Sequence, residues 1–215
     1  MSATPGRAST GKQPAVAVGR RERKRQQTAD HLAATAFGLF EAHGYDAVAM
    51  EQIAAAADVA KATLYNYFPV KEALLAHRFR REIADGMVAL RGDLARRRGF
   101  AARMRFLLQA SAEWNESWRD YLPHYLRFRM AEIDPGVHRA AGDSHASGIA
   151  PIFEALIREG QQSGELRGGQ NPAELARMFE YMCLGAAVMW LHAPRGRLAR
   201  RFELALEVFL GGIAA

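Results

Sequence analysis

The spacing of apolar residues is the feature that most constrains the fold of this chain. Apolar side chains recur three or four positions apart along most of its length, as Leu32, Ala36 and Phe40 do near the start. This spacing places them on one face of an α-helix, whereas a half-buried strand would alternate apolar and polar residues. No segment shows a convincing strand pattern. The sequence therefore predicts an all-α fold.

Gly, Pro and Asp residues divide this pattern into separate helices. A first helix starts at about Arg20 and ends before Gly44, and two short helices follow at 50–57 and 61–68 with a three-residue turn between them. Longer helices are predicted at 70–91, 100–116, 118–132, 151–163, 172–193 and 197–210.

The positive charge of the chain is concentrated at its N-terminus. The 215 residues include 29 Lys and Arg against 23 Asp and Glu, a net charge of +6, and residues 1–27 hold the whole excess. A cationic segment on an electrically balanced body favours contact with a polyanion, either nucleic acid or an anionic membrane surface. A solvated tail that contacts nothing is the alternative interpretation.

Composition excludes several classes of protein. The single cysteine, Cys183, allows neither an intramolecular disulfide nor a cysteine-based zinc cage. The longest uncharged run, residues 181–194, is shorter than the roughly 18–20 apolar residues that span a bilayer, and residues 15–18 are too short an apolar stretch for a secretory signal. We therefore expect a cytoplasmic protein without membrane contact, and the sequence indicates no metal site and no cofactor.

The two short helices have the pattern of a helix-turn-helix. Their spacing directs Leu64 and Phe68 toward the first helix and leaves a polar and aromatic outer face. The string 63–68 reads Thr-Leu-Tyr-Asn-Tyr-Phe, and Lys71 and Leu74 follow it. With the segment 40–45 upstream, this string resembles the DNA-binding domain of the tetracycline-repressor (TetR) family of transcriptional regulators.

Together, composition and this resemblance divide the chain into three regions. A disordered basic leader is expected at 1–22, and a TetR-type DNA-binding domain at 23–84 with its helix-turn-helix at about 49–68. A C-terminal ligand-binding and dimerisation domain is expected at 85–215.

The resemblance implies a set of DNA-contacting residues on the second short helix, which would enter the major groove. Lys61, Thr63 and Asn66 would approach bases or the adjacent backbone. Tyr65 and Tyr67 would reach phosphates or thymine methyl groups, and Lys71 would clamp a phosphate. Arg23 and Arg25 would run along the DNA backbone or enter the minor groove.

Three residues depart from the usual TetR pattern. Ala49 and Ala60 stand where hydroxyl residues commonly cap the two short helices, and Asp58 stands where glycine usually makes the turn. We expect Asp58 to cap the second of the two short helices in place of Ala60, because its carboxylate can accept backbone N–H bonds.

The resemblance further implies a homodimer formed through the helices at 172–193 and 197–210. The apolar residues expected to supply this interface are Met178, Met182, Gly185, Ala186, Met189, Phe202, Leu206, Phe209 and Leu210. A twofold dimer would place its two recognition helices about 34 Å apart and bind a pseudo-palindromic double-stranded DNA operator.

A cavity for a small-molecule effector is also implied, and large aromatic residues are the candidates for its lining. These are Trp114, Trp118, Tyr121, Phe128, Phe153, Tyr181 and Trp190. Ordinary core packing is the alternative for each of them. Acidic residues 113, 116 and 120 would suit a cationic ligand and basic residues 127 and 129 an anionic one, so the sequence selects no ligand class.

The functional prediction is a sequence-specific DNA-binding regulator, a repressor released by a ligand, without enzymatic activity. A small helical enzyme that uses the C-terminal cavity, with the N-terminal domain as a docking module, is the alternative. A membrane-surface protein held by its basic tail is a further one, but the chain lacks a basic amphipathic helix with an exposed Trp or Leu face.

Overall fold

The computed structural model describes residues 19–131, 148–193 and 196–213. Within these ranges the chain forms nine helices and no β-strand, which confirms the all-α prediction. The helices are α1 (Arg20–His43), α2 (Met50–Ala56), α3 (Lys61–Tyr67), α4 (Lys71–Arg96), α5 (Phe100–Ser117), α6 (Leu122–Ala131), α7 (Ala150–Gln162), α8 (Pro172–His192) and α9 (Leu198–Ile213).

Two helix boundaries and one segment boundary differ from the prediction. α1 begins at Arg20 as predicted, so residues 20–22 belong to a helix rather than to the leader, whose residues 1–18 lie outside the described ranges. α4 continues to Arg96 and crosses the domain boundary predicted at 84 without interruption. α6 begins only at Leu122, because residues 118–121 form a turn in which the Trp118 carbonyl accepts two backbone hydrogen bonds.

The first three helices and the start of α4 enclose one apolar core. Leu32, Phe40, Ile53, Leu64 and Leu74 are almost fully buried in it. α1 packs along α4, and α2 contacts both α1 and α3. The helix-turn-helix is therefore fixed on a scaffold formed by two long helices.

Two left-handed residues shape this region. Gly44 ends α1 with φ +82°, and its N–H donates to the Phe40 carbonyl at 2.8 Å. Asp58 has φ +53° in the turn between α2 and α3, a conformation that aspartate tolerates better than most residues.

The prediction that Asp58 caps α3 is wrong. No side chain accepts a hydrogen bond from the first turn of α3. The backbone N–H groups of Thr63 and Leu64 instead bond to the carbonyl of Ala60. At α2, Gln52 Oε1 accepts the N–H of Ala49 at 2.7 Å, which satisfies one donor although Ala49 has no capping side chain.

The remaining helices form a second packed layer. α8 lies against α7 and α9, and α9 lies against α5. Asn171 Oδ1 caps α8 by accepting the Ala173 N–H at 3.0 Å. Glu116 caps α9 from a distance in sequence, since its Oε1 accepts the Leu198 N–H at 2.6 Å. A carboxylate there also complements the positive end of the helix dipole.

No helix in the described ranges combines the length and apolarity needed to cross a membrane.

Candidate nucleic-acid interface and internal cavity

α3 presents one polar and aromatic side to solvent. Lys61, Tyr65 and Asn66 are exposed, whereas Leu64 and Phe68 are buried in the core as predicted. Thr63 and Tyr67 are half-buried, and Tyr67 packs against the edge of the core. The structure thus brings the predicted α3 residues together on and beside one exposed surface, on which hydroxyl, amide and ammonium groups are available to a partner.

Lys61 forms an ion pair with Glu51 of α2, a contact that the sequence analysis missed. Their mutual hydrogen bond raises the pKa of Lys61 and lowers that of Glu51. The Lys61 ammonium also lies 5.8 Å from the centre of the Tyr65 ring. Both partners are solvent-exposed, so the pair orients Lys61 more than it stabilises the fold. The opposite charges at these two positions are visible in the sequence, but their proximity depends on the turn.

Lys71 has a structural role in addition to the predicted phosphate contact. Its ammonium donates to the carbonyl of Tyr45 at 2.6 Å and to that of Val48 at 2.8 Å. It also lies 4.2 Å from the centre of the Tyr45 ring. Lys71 therefore ties the start of α4 to the loop between α1 and α2. Its contact with a phosphate stays a prediction.

The basic cluster is placed at the start of α1. Arg20, Arg21, Arg23, Lys24 and Arg25 are all exposed on the first turns of that helix. Helical backbone fixes their directions, which a flexible tail would not do.

A buried hydrogen bond connects α1 with α4. His77 Nε2 lies 2.7 Å from Asp30 Oδ1, and the His77 ring packs edge-on against Phe68. Burial lowers the pKa of His77, and the Asp30 hydrogen bond opposes that shift only in part. A neutral imidazole that donates its Nε2 proton to the carboxylate accounts for this contact.

A cavity of about 190 Å³ lies among α4, α5, α6, α7, α8 and α9. Most of its lining is aliphatic or aromatic, with Met87, Leu108 and Leu184 as examples from three of these helices. Apolar cavities with a small number of polar groups are typical of small-molecule sites.

The structure separates the seven aromatic residues predicted to line a cavity. Trp114 and Phe153 line it. Trp118 and Tyr121 instead pack against α1, each with its ring 5.5 to 5.6 Å from that of Phe37.

The other three residues of that set also lie elsewhere. Tyr181 is exposed on α8, and Phe128 packs half-buried against the core. Trp190 is buried, and its Nε1 donates to the Gly196 carbonyl at 3.1 Å. Helical spacing could identify these residues as large and apolar, but it could not show which helix each one faces.

Two carboxylates lie in the cavity wall. Glu180 of α8 is buried, and its Oε1 accepts from the guanidinium of Arg129 at 3.0 Å. Glu82 of α4 accepts from Trp114 Nε1 at 2.8 Å and from Arg78 Nε at 2.9 Å. Neither glutamate is predicted from the sequence, because isolated acids on amphipathic helices usually face solvent.

Glu82 also connects the cavity with α1. Arg78 donates a hydrogen bond to Glu82, and its guanidinium lies 5.6 Å from the centre of the Phe37 ring. Trp114 contacts Phe79 edge-on at 4.8 Å, and Phe79 in turn contacts Trp118. A continuous group of side chains therefore runs from the cavity wall to α1, which belongs to the scaffold of the helix-turn-helix.

Large apolar side chains are exposed on one pair of helices. They are Met178, Tyr181 and Met189 on α8 and Leu204 and Val208 on α9. Gly185 is exposed between them on α8. Exposed apolar side chains on two neighbouring helices favour an interaction surface.

Part of the set of residues predicted for the dimer is not available at the surface. Ala186, Phe202, Leu206 and Phe209 are buried within the chain itself. Leu204 and Val208, which that set does not include, are exposed, because α9 carries apolar residues on two faces.

Comparison with known proteins identifies the N-terminal domain. Residues 32–77 match the family model described as bacterial regulatory proteins, tetR family, and they cover α2, α3 and the adjoining parts of α1 and α4. This segment is a DNA-binding domain of the tetR-family type.

Known proteins resemble this chain well beyond that segment. A Mycobacterium tuberculosis protein named as the mycofactocin biosynthesis transcriptional regulator MftR is 26% identical over 89% of this chain and 93% of its own.

A solved structure of Thermus thermophilus FadR, a TetR-family transcriptional repressor in complex with lauroyl-CoA, is 25% identical with a TM-score of 0.73. It covers 85% of this chain and 93% of its own. Bacillus subtilis FadR in complex with stearoyl-CoA is 17% identical with a TM-score of 0.60, covers 85% of this chain and 98% of its own, and shares the fold.

Proposed function

We propose that this chain is a homodimeric repressor of the TetR family that binds a pseudo-palindromic operator and releases it when a small molecule enters its cavity. The observation that carries the proposal is the exposed polar face of α3, held on a rigid scaffold and preceded by an exposed basic helix start. An α-helix fits the major groove, where base edges differ in their pattern of donors and acceptors.

The residues of α3 and its surroundings have the chemistry for this contact. Asn66 and Lys61 carry donors suited to base edges, and the hydroxyl groups of Thr63, Tyr65 and Tyr67 can reach phosphates. Arg23 and Arg25 at the start of α1 supply positive charge for the DNA backbone. Neutralising phosphates releases counterions, so binding weakens as salt rises.

The exposed apolar face of α8 and α9 supports a twofold dimer. Two copies of this face would form a four-helix contact in which Gly185 lets the helices approach closely. Such a dimer presents two copies of α3, and half-sites about 34 Å apart follow from their placement on one side of the DNA.

The cavity supports regulation by an apolar ligand. The Thermus thermophilus repressor was solved with lauroyl-CoA, and the cavity of this chain is lined largely by aliphatic side chains. Trp114 lines the cavity and is joined through Glu82 and Arg78 to α1. A ligand that moves Trp114 would therefore shift the scaffold of α3. Repression follows most directly, because an occupied promoter excludes polymerase.

The test has two stages on one protein. Purified protein is first mixed with a random double-stranded DNA library at about 0.15 M salt, and the retained DNA is sequenced. Lauroyl-CoA is then titrated into the complex of the protein with the enriched DNA. The proposal expects an inverted repeat followed by its release. Retained DNA without a shared motif contradicts the binding of a specific operator. A complex that survives saturating lauroyl-CoA contradicts release by the ligand.

A further inference from the structure

Glu180 brings a buried charge to the wall of the cavity. Its side chain is 7% exposed and accepts from Arg129 through Oε1 at 3.0 Å. Glu180 itself lines the cavity, whereas Arg129 does not belong to the lining.

Two nitrogen donors beside the cavity are already engaged. Trp114 Nε1 donates to Glu82 at 2.8 Å. Asn115 Nδ2 donates to the Ser111 carbonyl at 2.7 Å and lies 3.3 Å from the hydroxyl of Ser111. A carbonyl oxygen only accepts, so the nitrogen of the Asn115 amide must face it. Oδ1 of Asn115 therefore points away from the Ser111 carbonyl.

Acceptors, in contrast, remain available. Among the contacts between described residues, neither Oε2 of Glu180 nor Oδ1 of Asn115 receives a donor. The surrounding wall is aliphatic, with Leu107, Leu126 and Leu184 in it. Polar atoms in such surroundings require a partner, which water or a ligand must supply.

The charge of the cavity wall also favours a ligand that donates hydrogen bonds over an anionic ligand. The acidic side chains of the lining are Glu82 and Glu180, and no Lys or Arg is among its described residues. Burial raises the pKa of the Cys183 thiol to about 12, and the charge of Glu180 adds to the effect, so this lining residue stays neutral. The partners of these carboxylates, Arg129 and Arg78, lie outside the lining, so the charged groups that an anionic ligand would meet first are carboxylates.

We infer that the cavity binds an apolar chain whose polar end donates a hydrogen bond to Glu180, such as a hydroxyl or a protonated amine, and that it rejects the same chain ended by a carboxylate. The inference rests on the proposed ligand cavity and specifies its chemistry.

The direct test compares three probes with one chain length on the wild-type protein. Decan-1-amine, decan-1-ol and decanoate are titrated separately at pH about 7, where the amine is protonated and the acid ionised. Tryptophan fluorescence follows binding because Trp114 lines the cavity. The inference expects the amine and the alcohol to bind about tenfold or more tightly than decanoate, since hydrogen bonds to charged groups are among the stronger ones.

A variant assigns the preference to one side chain. Glu180→Gln keeps the shape of the side chain and removes its charge, so the preference for decan-1-amine over decanoate should fall by about tenfold or more. Glu174→Gln makes the same change at an exposed position of α8 outside the cavity and should leave the preference unchanged. The wild-type comparison decides the question even if Glu180→Gln fails to fold.

The outcomes separate this inference from the proposed function. Equal binding of decanoate and decan-1-amine, or no binding of any probe, overturns the inference. Tight binding of the amine or the alcohol without release of bound operator supports the inference and contradicts the proposed ligand-released repression.

Discussion

At the scale of single residues, Lys71 shows how one side chain can serve both the fold and the DNA interface. Its ammonium satisfies two backbone carbonyls of the loop between α1 and α2 and lies against the Tyr45 ring. The sequence pattern predicts a cation at this position but not these acceptors, because the loop approaches α4 only in the folded chain.

Replacement of Lys71 by alanine should therefore destabilise the protein. We expect Lys71→Ala to lower the free energy of unfolding by about 2 kcal/mol, because two half-buried carbonyls lose their charged donor. Urea unfolding followed by circular dichroism measures the change.

Lys61→Ala is the matched control for this substitution. Its ion pair with Glu51 is exposed, so stability should change by less than about 0.5 kcal/mol. Equal loss of stability in the two variants would show that the carbonyl contacts of Lys71 contribute no more to the free energy of unfolding than the exposed ion pair of Lys61 does.

At the scale of helices, the exposed side chains of α8 and α9 account for the proposed dimer. Leu204→Glu should convert the dimer to a monomer and weaken operator binding by about tenfold or more, because a charge in an apolar interface costs more than the 1.4 kcal/mol that a factor of ten represents. Light scattering after gel filtration measures the mass, and fluorescence anisotropy measures DNA binding.

Val88→Glu provides the comparison for that variant. Val88 is an exposed apolar residue on α4, which is not one of the two helices of the proposed interface, so its replacement should change neither mass nor affinity. A Leu204→Glu protein that remains dimeric would place the interface elsewhere.

Also at the scale of helices, α5 connects the cavity to α1 through the indole of Trp114. Trp114→Phe keeps the aromatic packing but removes the hydrogen bond to Glu82, so we expect a loss of about 1 kcal/mol in stability. The variant should still bind operator, while a given ligand should reduce its operator affinity less than it does in wild type.

Anisotropy titrations of operator with and without lauroyl-CoA measure this coupling. The comparable variant Trp190→Phe removes an indole hydrogen bond to Gly196, which lies outside the connection between the cavity and α1. If both variants respond to the ligand as wild type does, the path through Glu82 carries no coupling.

At the scale of the whole molecule, the packing of α1 on α4 makes stability depend on pH. His77 is buried with a lowered pKa, and in the unfolded chain its pKa returns to about 6.5. Below that value the unfolded chain binds a proton that the folded chain excludes. Stability should therefore fall as the pH decreases through this range.

Urea unfolding at pH about 7.5 and about 5.5 measures this dependence. His77→Gln retains a donor for Asp30 without titrating, so it should lose less stability between the two values than wild type. His192→Gln, at an exposed position of α8, should behave as wild type. An unchanged pH dependence in His77→Gln would exclude His77 as its source.

The sequence predicts more of the architecture than of the sites. The spacing of apolar residues is enough to predict the all-α fold and most helix bounds, since that spacing reflects burial directly. It does not show which neighbour a helix faces, so it could not reveal that Trp118 packs against α1 or that Phe202 is buried within the chain. Glu180 and Glu82 gave no signal in the sequence, because their importance depends on burial between helices.

The central claim is that α3 reads bases as part of a dimer. The most direct measurement is DNA selection from one random library, carried out in parallel with wild type and Asn66→Ala at about 0.15 M salt. We predict that wild type enriches an inverted repeat with half-sites about one helical turn apart, and that Asn66→Ala changes the preferred base at one symmetric pair of positions. Identical motifs from both proteins, or retained DNA with no shared motif, would contradict the account.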